Sequence, residues 1–85
     1  MDQNEPMSPT ASPATAISKH VIELLSLTNN GLLKSAKDKL NYTRGYVASL
    51  YEFSLIGEEL YNIVSNQLLT SEYKIDALAL EQNNA

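Results

Sequence analysis

The stretch LNYTRGYVASLYEFSLIGEELYNIVSNQLLTSEYKIDAL, residues 40–78, carries apolar or small side chains at intervals that alternate between three and four. The series runs Leu40, Thr43, Val47, Leu50, Ser54, Gly57, Tyr61, Val64, Leu68, Ser71, Ile75 and Leu78. A mean spacing of about 3.5 residues keeps one seam of an α-helix turned toward one neighbour, so the pattern predicts an all-α fold built on helix-to-helix packing. A second stripe lies one residue earlier at each step: Tyr42, Tyr46, Ser49, Phe53, Ile56, Leu60 and Ile63. Successive residues sit about 100° apart around a helix, and the two stripes together make an apolar face broad enough for two neighbours.

Ser54 and Gly57 are the small residues midway along the seam, between Leu50 and Tyr61. Two architectures follow. In one, a single helix of about forty residues folds back on a first helix as a hairpin, and Ser54 and Gly57 are where two backbones approach closely. In the other, the chain breaks between Ser54 and Gly57 into a three-helix bundle. Ser54 would then cap the new helix and Glu58 and Glu59 would favour its N-terminal dipole. The unbroken phase of the seam and the absence of proline favour the long helix, and close packing at Gly57 predicts that Gly57→Ala destabilises.

Working outward, all three prolines (Pro6, Pro9, Pro13) fall in residues 1–16 among Ser, Thr and Ala, a composition too poor in apolar groups to offset its ordering entropy. Residues 1–16 are therefore expected to be a disordered tail, with Ser8 and Ser12, each followed by proline, as candidate phosphorylation sites. The helical interaction domain is expected over 17–80 and a frayed end over 81–85. A first helix starts near Ala16 or Ile17 and shows Ile17, Val21, Leu24, Leu25 and Thr28 on one side. Asn29-Asn30-Gly31 supplies residues suited to the left-handed backbone that closes a helix. Ser35-Ala36-Lys37-Asp38 then resembles a capping box.

The 85 residues contain no cysteine and one histidine, and carry a net charge of −4. About seventy foldable residues without a disulfide lie near the size at which a lone core is marginal, so a helical protein partner or a homo-oligomer is expected. The acidic balance argues against nucleic acid. No stretch is long and apolar enough for a transmembrane span, and the acidic start does not resemble a secretory leader. An intracellular, cytoplasmic protein is expected, with the nucleus as the alternative, and the sequon Asn41-Tyr42-Thr43 is read as chance.

Little in the chain suggests catalysis. His20 lies at the edge of an apolar helix face, where a lone histidine is a poor candidate for a base. Glu58 and Glu59 are adjacent and so point about 100° apart, which prevents them from clasping one ion. No phosphate loop and no nucleophile with a base at usable spacing is present. A non-enzymatic chain with no cofactor and no metal is expected. Lys34, Lys37, Lys39 and Arg44 contrast with the acidic groups that follow, which favours antiparallel pairing of the two segments or a partner of complementary charge. Five tyrosines and Phe53 fall between residues 42 and 73, and aromatic residues of this kind are enriched at interfaces.

The resulting expectation is a small helical subunit or adaptor that packs by its heptad-patterned face into a larger assembly. Tyr46, Leu50, Phe53, Ser54, Gly57, Leu60, Tyr61 and Val64 are its candidate interface. The alternatives are a small dimeric regulator of a transcription or signalling protein, or of DNA, and a chaperone that covers a helix of another protein.

Overall fold

The computed structural model describes residues 12–84, which form three helices: α1 (Pro13–Asn29), α2 (Leu33–Glu52) and α3 (Glu58–Asn84). α1 starts three residues or more before the position expected from the apolar pattern. Ser12 is extended (φ −61°, ψ 154°) and its hydroxyl accepts a hydrogen bond from the Thr15 N–H at 3.2 Å. Pro13 follows at the first helical position, where its missing N–H has no intrahelical role. Residues 13–16, assigned to the tail by composition, are thus the first turn of a helix. The remainder of that expected tail, residues 1–11 with Ser8, lies outside the described residues. At the other end α3 runs through Asn84, past the boundary expected at residue 80, with neither glycine nor proline there to stop it.

The chain turns twice, and both turns use the same hydrogen-bond pattern. At the end of α1, Gly31 takes the left-handed conformation (φ 75°), its N–H donates to the Thr28 carbonyl, and the Leu32 N–H donates to the Leu27 carbonyl, both at 3.0 Å. At the end of α2, Ser54 is left-handed (φ 61°), its N–H donates to the Tyr51 carbonyl at 3.0 Å, and the Leu55 N–H donates to the Leu50 carbonyl at 2.8 Å. These paired bonds are the Schellman closure, which satisfies carbonyls that the end of a helix leaves without partners.

The second turn corrects the long-helix expectation: the chain makes three helices, and Ser54 ends α2 instead of capping α3. Gly57 immediately precedes α3, and its carbonyl accepts from the Tyr61 N–H at 3.0 Å. A methyl group built on Gly57 would meet nothing within 4 Å, so the close approach expected there does not exist. The seam keeps its phase through the break because residues on both sides of the turn face the same core. A straight helix would have left most of that seam uncovered, since α1, with 17 residues, spans only about 26 Å. The capping box expected at Ser35 does not form either. The closure at Leu32 leads directly into α2, Leu32 is its N-cap without a side-chain bond, and Ser35 already lies inside the helix.

α2 runs antiparallel to α1 and α3 and packs against both, while α1 and α3 barely touch each other. The core is the cluster of Ile17 and Leu24 from α1, Ala36, Leu40, Val47 and Leu50 from α2, Ile56 from the turn, and Val64, Leu68 and Ile75 from α3. Eight of the twelve seam positions are buried, whereas Tyr61 and Leu78 are half-buried and Ser54 and Gly57 are exposed. Ile56 fills the place that the seam would have given to its two small neighbours. Buried Thr28 and Thr43 remain satisfied by donating to the carbonyls one turn back, Leu24 at 2.9 Å and Lys39 at 2.7 Å.

A left-handed backbone costs an L-residue about 1–2 kcal/mol that glycine escapes, although glycine gives back part of this in chain entropy. Ser54→Gly is therefore expected to stabilise the domain by about 0.5–1 kcal/mol in urea unfolding. A loss of stability would contradict the turn described for residues 53–57.

Candidate protein-interaction surface

The junction of α1 and α2 is held by a polar and aromatic cluster around Lys39. Its ammonium lies 2.5 Å from Glu23 Oε1 and 2.9 Å from His20 Nδ1, and stands 5.2 Å from the centre of the Tyr42 ring. An ammonium can only donate, so Nδ1 accepts and the imidazole carries its hydrogen on Nε2. The His20 ring meets Tyr42 and Tyr46 edge-on at 5.3 and 4.9 Å, and the two tyrosines stack in parallel at 6.3 Å. His20 is thereby a packing residue that docks α1 on α2.

The junction of α2 and α3 is an ion-pair ladder. Arg44 donates to Glu72 at 2.6 Å, and Lys37 reaches both Glu72 at 3.7 Å and Asp76 at 3.2 Å. The basic and acidic segments therefore pair antiparallel within one chain, one of the two outcomes that their contrast predicts. The hydrogen bond from Lys39 holds the Glu23 carboxyl below its ordinary pKa of 4.5, and the hydrogen bond from Arg44 does the same for Glu72.

Two apolar regions remain uncovered. The first is the turn between α2 and α3, where Tyr51 stacks on Tyr61 at 4.3 Å while Phe53 and Leu55 stand exposed, Phe53 at 70 %. The second is the groove that α1 and α3 leave between them. An open cleft of about 290 Å³ is walled by Ala14, Ser18 and Ile22 of α1 and by Leu60, Ile63 and Gln67 of α3, over a floor of Ile17 and Val64. A second cleft of about 250 Å³, between Val21, Leu25, Gln67, Thr70 and Ser71, continues it along the same two helices. At the far end Lys74 donates to the Asn29 amide oxygen at 3.2 Å and ties α3 to the end of α1.

The eight expected interface residues divide among these places. Leu50 and Val64, 9 % and 3 % exposed, belong to the chain's own core, which withdraws both from any partner. Tyr46 is half-buried against His20. Phe53, Ser54 and Gly57 are exposed on or beside the turn, and Leu60 and Tyr61 are half-buried at its base. Ser12 is exposed and engaged as the cap of α1. The periodicity placed Leu25 on the apolar side of α1, overlooked Ile22, and left Ile63 as a member of the second stripe alone. The signal for Ile22 was the adjacent pair Val21-Ile22, which with Leu24-Leu25 widens the apolar face of α1 beyond what one neighbour needs.

Among the described residues there is no group of three histidines or carboxylates placed to hold a metal ion, and no helix long and apolar enough to cross a membrane. Comparison with protein-family models, with curated proteins and with solved structures returns no match.

The two lowered carboxyls fix a sign for pH dependence. A group whose pKa is depressed by folding adds stability above its ordinary value, here 4.5, and that stability is lost as pH falls through the lower folded value. Glu72→Gln is thus expected to lower the melting temperature at neutral pH, with the gap to the parent chain closing as pH falls well below 4.5 and shrinking in high salt. Thermal unfolding across a pH series checks this. A gap that persists in acid would mean that the ion pair is not its source.

Proposed function

We propose that this chain is a non-enzymatic helical interaction subunit whose uncovered apolar faces pack against another α-helical surface. The observation that carries the reading is the imbalance in its own packing. Ten apolar side chains form the buried cluster, one of them only an alanine, whereas eleven large apolar side chains are exposed among the described residues. A core of this size gives only a few kcal/mol of net stability without a disulfide or a metal, and burying one more exposed leucine or isoleucine adds about 1.5–3 kcal/mol. Partner binding is thus a direct route to a stable fold.

Lys34, Lys37, Lys39 and Arg44 each lie within ion-pair distance of a carboxylate of this chain, at Asp38, Glu72, Asp76 or Glu23. Binding to phosphate would have to compete with these contacts, so the regulator reading for DNA gains no support from them.

The test is the stability of the isolated full chain at low micromolar concentration. Circular dichroism is expected to show a low and broad melting transition, because few contacts offset the ordering entropy. A sharp, high transition in a chain that light scattering shows to be monomeric would overturn the reading.

A further inference from the structure

We infer that the α1–α3 groove is the seat of a second copy of this chain, related by a twofold axis near the level of Val21 and Gln67, so that the two copies run antiparallel. This rests on the helical-interaction reading and names the partner.

The first argument is charge. The groove walls carry none: α3 has no ionisable group other than tyrosine from Leu60 to Ser71, and Ala14, Ser18, Val21, Ile22 and Leu25 line the facing side of α1. A chain of net charge −4 can meet its own copy there without direct repulsion. The charges next to the two ends of the groove differ. Glu58 and Glu59 open α3 beside Leu60 with no cation among the lining residues there, whereas Lys74 stands at the other end beside Asn29, in a cleft that Glu81 also lines. The midpoint between Glu59 and Lys74 on α3 falls between Asn66 and Gln67, and Gln67 lines the middle of the groove opposite Val21. A twofold axis at that level therefore sets the acidic end of each copy against Lys74 of the other. A parallel arrangement would set like charges together.

The second argument is shape and area. The outward ridge of α1 carries Ile22, 65 % exposed, and Leu25, 42 % exposed, and side-chain ridges of this kind pack into the trough between two helices. The groove follows α1 from Ala14 to about Thr28, about 21 Å at the helical rise, and two helices side by side are about 20 Å wide. Each copy then offers about 400 Å² in projection and more in accessible area, which places the pair near the lower limit of about 1,000 Å² in total for a specific interface. A reversible dimer of micromolar dissociation constant is the corresponding expectation.

Sedimentation equilibrium of the full chain from low micromolar to millimolar concentration tests this. The parent is expected to pass from monomer to dimer. Ile22→Glu and Ile63→Glu are expected to raise the dissociation constant about tenfold or more with little change in monomer helicity, since both side chains are already at the surface. Asn41→Glu, exposed on α2, which lines neither cleft, should leave it unchanged. Glu59→Lys and Lys74→Glu should each weaken the pair, and the double variant should restore it. A monomer at every concentration, a dimer indifferent to Ile22 and Ile63, or a double variant weaker than either single one would overturn the proposal. A monomer that also melts low and broad would overturn only the second copy as the occupant, whereas one that melts sharply and high would overturn the helical-interaction reading as well.

Discussion

The structure depends on α2 being enclosed from two sides. It is the one helix that packs against both others, and its apolar positions Ala36, Leu40, Val47 and Leu50, with Thr43, are buried between them. α1 and α3 each gain their burial chiefly from α2, so neither has an independent core. This dependence makes the fold cooperative in one sense and incomplete in another. Removing α2's apolar seam removes both interfaces, while the far sides of α1 and α3 stay open to whatever can cover them.

Around that seam, polar contacts select the arrangement more than they stabilise it. Lys39 sits 18 % exposed between Glu23 and His20, and Arg44 and Lys37 meet Glu72 and Asp76 across the other junction. Exposed pairs of this kind contribute little individually. Their value lies in direction, because a cationic middle helix is matched by carboxylates on both neighbours only when α2 runs opposite to each. The turns serve the same end. Each Schellman closure reverses the chain within a few residues, and Gly31 and Ser54 take the left-handed backbone that such a reversal requires.

The uncovered groove follows from the lengths and the topology. Three helices joined by short turns place the first and third parallel on the same side of the second. Contact between them would then need large side chains directed at each other. Instead that side of α1 and α3 carries Ser18, Ala14, Gln67, Thr70 and Ser71 between the aliphatic residues, and these are too short or too polar to close the gap. Space and apolar surface are thus left together in one place, and the proposed partner surface is set there for that reason.

The sequence by itself determined the helical class, ten of the twelve seam residues and the first turn at Asn30-Gly31, and it narrowed the basic and acidic segments to two outcomes, of which pairing within the chain is one. Each of these depends on periodicity, local backbone preference or charge sign, and all three are written along the chain. Only the tertiary structure decided that α2 ends at Glu52. The apolar phase from Leu50 to Tyr61 is the same for a straight helix as for two helices facing one core, and Ser54 supplies the left-handed residue that glycine would have signalled openly. It also decided that Leu50 and Val64 are core residues, since periodicity shows which side of a helix is apolar but not which neighbour covers it. The groove of Ile22 and Ile63 was illegible for the same reason: residues far apart in sequence form one surface only after α2 has set α1 and α3 side by side.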